Sequence, residues 1–174
     1  VKLYEGYGST EAGIVTTLMP EDQMTKPGSI GKESSGTDLI RILDENGDDV
    51  APGEVGELYS SGPMLFDHYY KLPEVTAESF QGEYFSAGDM ARRDADGYYY
   101  LVDRKKNMII TGGENVYPSE VENVIAAHPA VFDVAVVGLP HEKWGEEVSS
   151  VIILKDDQSL SEEDLVSYCR AQLA

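Results

Sequence analysis

Residues 98–122 read YYYLVDRKKNMIITGGENVYPSEVE, and the pattern of the chain changes within them. Tyr98 to Val102 reads as a strand and pairs naturally with Met90 to Arg93 across Asp94-Ala95-Asp96-Gly97. Asp103-Arg104-Lys105-Lys106 then concentrates positive charge in an otherwise acidic chain. Met108-Ile109-Ile110 is a short apolar strand ending at Gly112-Gly113. From Pro118 to Ala127 the apolar residues fall at helical spacing, with Val121, Val124 and Ile125 on one face. Pro118 near the start and His128-Pro129 at the end are helix start and stop signals. A boundary near residues 103–106 therefore separates a unit at 1–103 from a unit at 104–174.

Upstream, strands predominate. Leu39 to Leu43 runs into Asp44-Glu45-Asn46-Gly47, where Asn-Gly signals a tight turn, and Gly56 to Ser60 is a second short strand. Leu72 to Phe80 predicts a short helix with Pro73 near its start. Many short strands with Gly and Pro turns predict part of a distorted barrel or bent sheet. Downstream, Val134 to Val137 and Val148 to Leu154 read as strands. Ser161-Glu162-Glu163-Asp164 opens a last helix with acids at its positive end, and the helical pattern is still running at Ala174. Both chain ends read as cut, which predicts a fragment of something larger. The expected fold class is α+β/α/β: part of a distorted β-barrel subdomain, then a small mixed α/β domain.

The 174 residues are 41% hydrophobic and 26% charged, a globular balance. The net charge of −19 is spread along the chain and argues against nucleic acid or a polybasic membrane anchor, because phosphates are repelled by such a field. One cysteine, Cys169, excludes an internal disulfide framework. No apolar run approaches the roughly 20 residues of a membrane helix. His68, His128 and His141 show no metal-ligand spacing. Cys169 falls on a helix face with Leu165 and Leu173, as a core residue does. Tyr98-Tyr99-Tyr100 alternates faces, as sheet packing does, and Trp144 fits a loop or domain edge.

Four motifs can carry chemistry. Gly6-Tyr7-Gly8-Ser9-Thr10-Glu11 combines glycines that permit close backbone approach with a hydroxyl and a carboxylate, a pair that can hold a phosphate and its Mg²⁺. It is neither a dinucleotide fingerprint nor a P-loop, since Glu11 stands at the sixth position and Ile14-Val15 follow Gly13. Ala87-Gly88-Asp89 places a carboxylate where vicinal ribose hydroxyls can be accepted. Arg104 offers planar multi-donor recognition, and its lysine neighbours are point charges. Thr111-Gly112-Gly113-Glu114 before the Pro118 helix predicts a strand-to-helix loop that a ligand can approach closely. Each has a plainer alternative as an ordinary turn or solvated run.

In order and spacing together, these motifs resemble the adenylate-forming superfamily of acyl-CoA synthetases, peptide-synthetase adenylation domains and luciferases. Tyr7-Gly8-Ser9-Thr10-Glu11 is similar to its Y-G-x-T-E motif. Gly56-Glu57-Leu58 with Tyr69-Tyr70, Pro73-Glu74, Thr76 and Phe80 resembles its G-E-L…G-Y…P-x-x-T…F stretch. Tyr84 to Asp89 resembles W-x-x-T-G-D, and Asp103 to Lys106 resembles the hinge motif G-R-x-(D/K). The resemblance implies that Tyr7 stacks on adenine beside Gly8, Thr10 binds the α-phosphate and Glu11 ligates Mg²⁺. It implies that Asp89 accepts the ribose hydroxyls and Arg104 contacts the nucleotide. Lys106 would be the hinge, and Gly112, Gly113 and Glu114 would line a CoA tunnel. The implied reaction is adenylation of a small carboxylic acid by ATP with release of pyrophosphate, then thioester formation with CoA, in the cytoplasm.

Ile109 to Pro118 resembles acyl- and aryl-CoA ligases most, with a fatty acid as first substrate and an aryl acid second. Ala87 stands where the family has Thr, and Asp103 where it has Gly. The family's upstream Ser/Thr/Gly-rich phosphate loop and its late catalytic Lys are not among these 174 residues, so the piece alone is expected to be inactive. The competing readings are a non-catalytic acidic α/β interaction module, a luciferase-like enzyme and a peptide-synthetase adenylation domain. The oligomeric state is left open.

Overall fold

The computed structural model describes residues 1–34 and 39–173. The chain divides into two compact units, Val1–Lys105 and Lys106–Ala174.

In the first unit, β1 (Glu5–Ser9), β2 (Gly13–Leu18) and β3 (Lys32–Glu33) form a three-stranded antiparallel sheet in that order. The β1–β2 hairpin carries a register shift between Tyr7 and Gly8. A second sheet contains β4 (Ile40–Leu43), β5 (Val55–Ser60), β6 (Phe80–Gln81), β7 (Tyr84–Phe85), β8 (Asp89–Arg93) and β9 (Tyr99–Arg104). Its order is β6-β7-β5-β8-β9, with β4 also paired to β5. The helix α1 (Pro73–Glu78) starts on Pro73, whose missing N–H costs nothing there. Along β5 burial alternates, with Gly56, Leu58 and Ser60 inside, as a half-buried strand requires. The core gathers Ile30, Ile40, Ile42, Leu58, Ala91 and Tyr99, with Tyr7, Val15 and Val50 packed against it. The sheets form part of a distorted barrel that does not close.

Gly31 ties the two sheets. Its carbonyl accepts from the Tyr99 N–H at 2.9 Å, and its φ of 92° is the left-handed conformation that favours glycine. A Cβ there would fall on the Thr17 carbonyl. Gly28 shares the positive φ (77°) but faces open space. Gly31→Ala is therefore expected to lower unfolding free energy in urea by about 3 kcal/mol, the sum of backbone strain and overpacking, against about 1 kcal/mol for Gly28→Ala.

The β8–β9 hairpin is held from outside by Lys26, whose Nζ donates to Asp94 Oδ2 at 2.8 Å and Asp96 Oδ2 at 2.6 Å. Partial burial alone would raise the Asp94 carboxyl. The hydrogen bonds from Lys26 and the Tyr98 and Asp96 N–H groups outweigh it and hold the group at about 2. Its charged form is thus favoured by folding. That contribution is fully present above the ordinary carboxylate range and is lost as pH falls through it toward about 2. Lys26→Met is expected to shrink this acid-side loss of stability, read from thermal midpoints across that window.

In the second unit, β10 (Ile109–Thr111), β11 (Glu114–Val116), β12 (Val131–His141) and β13 (Gly145–Leu154) form an antiparallel sheet of order β11-β10-β13-β12. The helices are α2 (Pro118–Ala126), again opened by proline, and α3 (Glu162–Arg170), capped by the Ser161 hydroxyl accepting from the Asp164 N–H. Ile109, Ile125, Val131 and Val136 make the core, flanked by Val121, Val148, Leu165 and Cys169. Burial raises the Cys169 thiol, in keeping with a core role.

Several expectations are corrected here. The strand expected at 134–137 is the middle of the long β12, because its hairpin with β13 pairs residues out to His141↔Gly145. Arg104 ends strand β9. The regular helix α3 ends at Arg170, followed by a turn in which the Leu173 N–H bonds the Cys169 carbonyl; Ala174 lies outside the described residues. Gly112-Gly113 is not a strand-to-helix loop. Thr111 pairs with Glu114 directly across it, and both glycines have positive φ (60° and 92°), the geometry of a two-residue type I′ hairpin turn.

Candidate functional site

The expected ribose acceptor, Asp89, begins β8 and is 6% exposed. Gly88 before it has a φ of 81°, which turns the chain from the Ser86-Ala87 segment into the strand. Arg104 is its cross-strand partner on β9. Arg104 Nε lies 2.6 Å from Asp89 Oδ1, and Nη1 donates to the Ala87 carbonyl at 3.3 Å. From β1, the Tyr7 hydroxyl donates to Asp89 Oδ2 at 2.6 Å. Burial, then the bond to Asp89, raises the Tyr7 phenol far above its ordinary value, so it remains a donor. Tyr7, Asp89 and Arg104 come from motifs spread over most of the first unit. A carboxylate has about four lone-pair sites, so two partners leave Asp89 able to accept further hydroxyls.

Thr10 and Glu11 sit in the turn between β1 and β2, on the same hairpin as Tyr7. Thr10 is exposed. The turn is tight: the Ser9 hydroxyl accepts from the Ala12 N–H at 3.1 Å, and a Cβ on Gly8 would fall on the Gly13 carbonyl. It is pinned from outside by residues the sequence motifs did not assign. The Phe66 N–H donates to the Glu11 carbonyl at 2.8 Å, and the Tyr69 hydroxyl donates to Glu11 Oε1 at 2.8 Å. Phe66 itself lies edge-on to Tyr69 and Phe85. The Tyr69 bond holds the Glu11 carboxyl below its ordinary value, despite an opposing contribution from burial. Burial and that bond push the Tyr69 phenol up to about 12. Glu11 is thus favoured as an ionised carboxylate, with Tyr69 as the first cause.

Beside this cluster, Glu57 and Lys105 form an ion pair at 2.7 Å. Glu57 belongs to the Gly56-Glu57-Leu58 stretch, to which the resemblance assigns no role. The pair joins residues 48 apart in sequence, so nothing local signals it.

In the second unit, Gly112, Gly113 and Glu114 are exposed at the β10–β11 turn, whose Gly112 N–H donates to the Trp144 carbonyl at 2.9 Å. Lys106 is exposed in the 3₁₀ turn Lys105–Asn107. His128, His141, Tyr98 and Tyr100 have structural partners. His128 lies edge-on to Tyr168, and its Nδ1 accepts from the Ala130 N–H. His141 Nδ1 accepts from the Lys143 and Trp144 N–H groups. Tyr98 is covered by Lys26 and Lys32, and Tyr100 by Arg92. Among the described residues no group of three or more His, Cys, Asp or Glu can hold a metal ion, and no helix is long and apolar enough to cross a membrane.

Two family models match the chain. The AMP-binding enzyme model matches residues 1–70, and the model of the AMP-binding enzyme C-terminal domain matches residues 120–174. The chain is 45% identical over 161 residues to the medium/long-chain-fatty-acid–CoA ligase FadD8 of Mycobacterium tuberculosis, covering 90% of this chain and 28% of the relative. It is 41% identical over 171 residues to a feruloyl-CoA synthase of an Amycolatopsis species, covering 98% of this chain and 35% of the relative. Among solved structures, o-succinylbenzoate CoA synthetase from Bacillus subtilis, in complex with an acyl-adenylate intermediate, superimposes with a TM-score of 0.83 at 35% identity, covering 99% of this chain and 35% of that one. The chain thus spans about a third of the length of the proteins it matches.

Proposed function

Because the chain belongs to the AMP-binding enzyme family, we propose that it is part of an ATP-dependent acid–thiol ligase that adenylates a carboxylic acid and then passes the acyl group to CoA. The observation that carries this reading is the convergence of Tyr7, Asp89 and Arg104, brought from three separate motifs to one carboxylate. Asp89 accepts the ribose hydroxyls, Arg104 supplies positive charge on the ribose and phosphate side, and the Tyr7 ring packs beside adenine. Thr10 approaches the α-phosphate from the exposed turn, and Gly8 on β1 lies beside the nucleotide.

The donor set fits a magnesium ion that arrives with ATP. Glu11 offers one ionised carboxylate, and Mg²⁺ is commonly bound by one or two carboxylates with substrate phosphates and water. Such an ion supplies charge neutralisation where two anions must meet. Glu11, held by Tyr69, keeps the phosphate end of the site oriented, while Arg104 offsets the charge that develops on the α-phosphate.

Lys106 is proposed as the hinge about which the second unit turns. The exposed Gly112-Gly113-Glu114 turn is proposed to line the path of the CoA arm, where glycines leave room for a ligand to pass the backbone. A medium- or long-chain fatty acid is the preferred acyl substrate and an aryl acid the next, in line with what FadD8 and feruloyl-CoA synthase are named for. The cytoplasm, which holds ATP and CoA, is the proposed place of action.

A panel of fatty and aryl acids tests this in the full-length protein. CoA-dependent AMP release is expected with at least one of them, and none with the 174 residues alone, which lack the family's phosphate loop and late Lys. A full-length protein that binds no ATP would favour the interaction-module reading.

A further inference from the structure

Glu57 stands on β5 with its side chain 13% exposed, and both of its oxygens are engaged. Oε1 accepts from the Ser86 hydroxyl at 2.7 Å. Oε2 accepts from Lys105 Nζ at 2.7 Å and from the Tyr59 hydroxyl at 3.2 Å. Ser86 Oγ in turn accepts from the Gly88 N–H at 3.0 Å, and the Gly88 carbonyl accepts from the Lys105 N–H at 2.8 Å. The bonds close on themselves, from Glu57 to Ser86, to Gly88, to Lys105 and back to Glu57.

The members of this ring bracket the Asp89–Arg104 pair. Gly88 immediately precedes Asp89, and Lys105 immediately follows Arg104. Gly88 has a positive φ, and no neighbour stands where a Cβ would lie, so no side chain packed at that position holds its conformation. Arg104 is 54% exposed along its side chain and likewise is not held by burial. The β8–β9 pairing already joins the two backbone segments at Asp89↔Arg104; the ring ties the Gly88 turn to Lys105 beside that pair, with the buried Ser86 and the Glu57 carboxylate as its inner members. Among the three consecutive cations Arg104, Lys105 and Lys106, the side chain of Lys105 is directed at Glu57.

We infer that Glu57 and Lys105 are positioning residues for the nucleotide site, a pair that sets the separation and orientation of Asp89 and Arg104 without touching the ligand. This rests on the nucleotide-binding reading above, and two independent readouts keep the two apart.

The first is nucleotide affinity of the full-length protein, measured by titration with ATP–Mg²⁺ for the unaltered protein, Glu57→Gln, Lys105→Met, their double variant and Lys105→Arg. Each of the first two is expected to weaken binding about tenfold, and the double variant no further, because the pair acts as one unit. Lys105→Arg is expected to restore affinity to within about threefold, since it keeps the charge. The second is amide hydrogen exchange without nucleotide. The Gly88 and Lys105 N–H groups are expected to exchange faster in both single variants, while exchange in the Ile40–Leu43 strand stays unchanged.

Additive losses in the double variant, affinity that stays at the unaltered level, or unaltered exchange at Gly88 and Lys105 would each overturn the assignment. Faster exchange spread over the whole first unit would also overturn it, by showing general destabilisation. If the unaltered protein bound no nucleotide, the functional reading and the positioning role would fall together. The exchange data would then decide only whether the ring holds the turn.

Discussion

Asp89→Ala is expected to weaken binding of ATP to the full-length protein by about a hundredfold or more, with little change in fold stability. The affinity estimate follows from the bonds at stake. A buried carboxylate accepting ribose hydroxyls makes charge-assisted hydrogen bonds of roughly 1.5–3 kcal/mol each, and two of them correspond to two or more orders of magnitude. The stability estimate follows from what remains. Removing Asp89 frees the Arg104 guanidinium, which is half-exposed and can turn to water. It also frees the Tyr7 hydroxyl, whose ring is only partly buried. Neither becomes a trapped charge. Asp89→Asn separates charge from shape: it keeps one acceptor and the side-chain volume but loses the attraction to Arg104, so an intermediate loss is expected. Tyr7→Phe removes one donor to the carboxylate and leaves the ring, and should cost least. Calorimetric titration of the three variants beside their urea midpoints checks the order. An Asp89→Ala protein that binds ATP like the unaltered one would remove the central residue from the proposed site.

How much of this cluster the sequence discloses depends on distance along the chain. The β8–β9 hairpin is legible because Asp94 and Gly97 fix a turn between two short strands, and α2 and α3 because Pro118 and Ser161 mark their starts. The β1–β2 hairpin is not, since its glycines and its bulge at Tyr7/Gly8 break the alternation that identifies a strand. The Gly112-Gly113 turn does not read as a hairpin in the sequence because β11 is three exposed or half-buried residues without an alternating pattern. Motif order singles out Asp89, Arg104 and Glu11 one by one. It does not disclose their hydrogen-bond partners, because Tyr7 lies 82 residues from Asp89 and Tyr69 58 from Glu11, and tertiary hydrogen bonds leave no local periodicity.

The Tyr69 bond makes Glu11 the subject of the second large effect. Glu11→Gln preserves size and an acceptor for Tyr69 but removes the charge. Carboxylate-dependent ATP–pyrophosphate exchange is expected to fall by two to three orders of magnitude, the range found when a preorganised charge-stabilising group is lost. Binding of ATP measured in the presence of a chelator should hardly change, since the role proposed for Glu11 is toward the metal-bearing form. A pH series separates this role from a purely structural one. Tyr69 holds the Glu11 carboxyl below its ordinary value, so the charge persists on acidification and is lost only as pH falls through that lowered value. Tyr69→Phe removes the first cause of the lowering. The acid limb of the exchange activity should then move to higher pH, with the rate at neutral pH reduced far less than by Glu11→Gln. An acid limb that stays in place in Tyr69→Phe would mean that another group governs it. A Glu11→Gln protein with near-normal exchange would mean that the turn shapes the site while the phosphate charge is offset elsewhere.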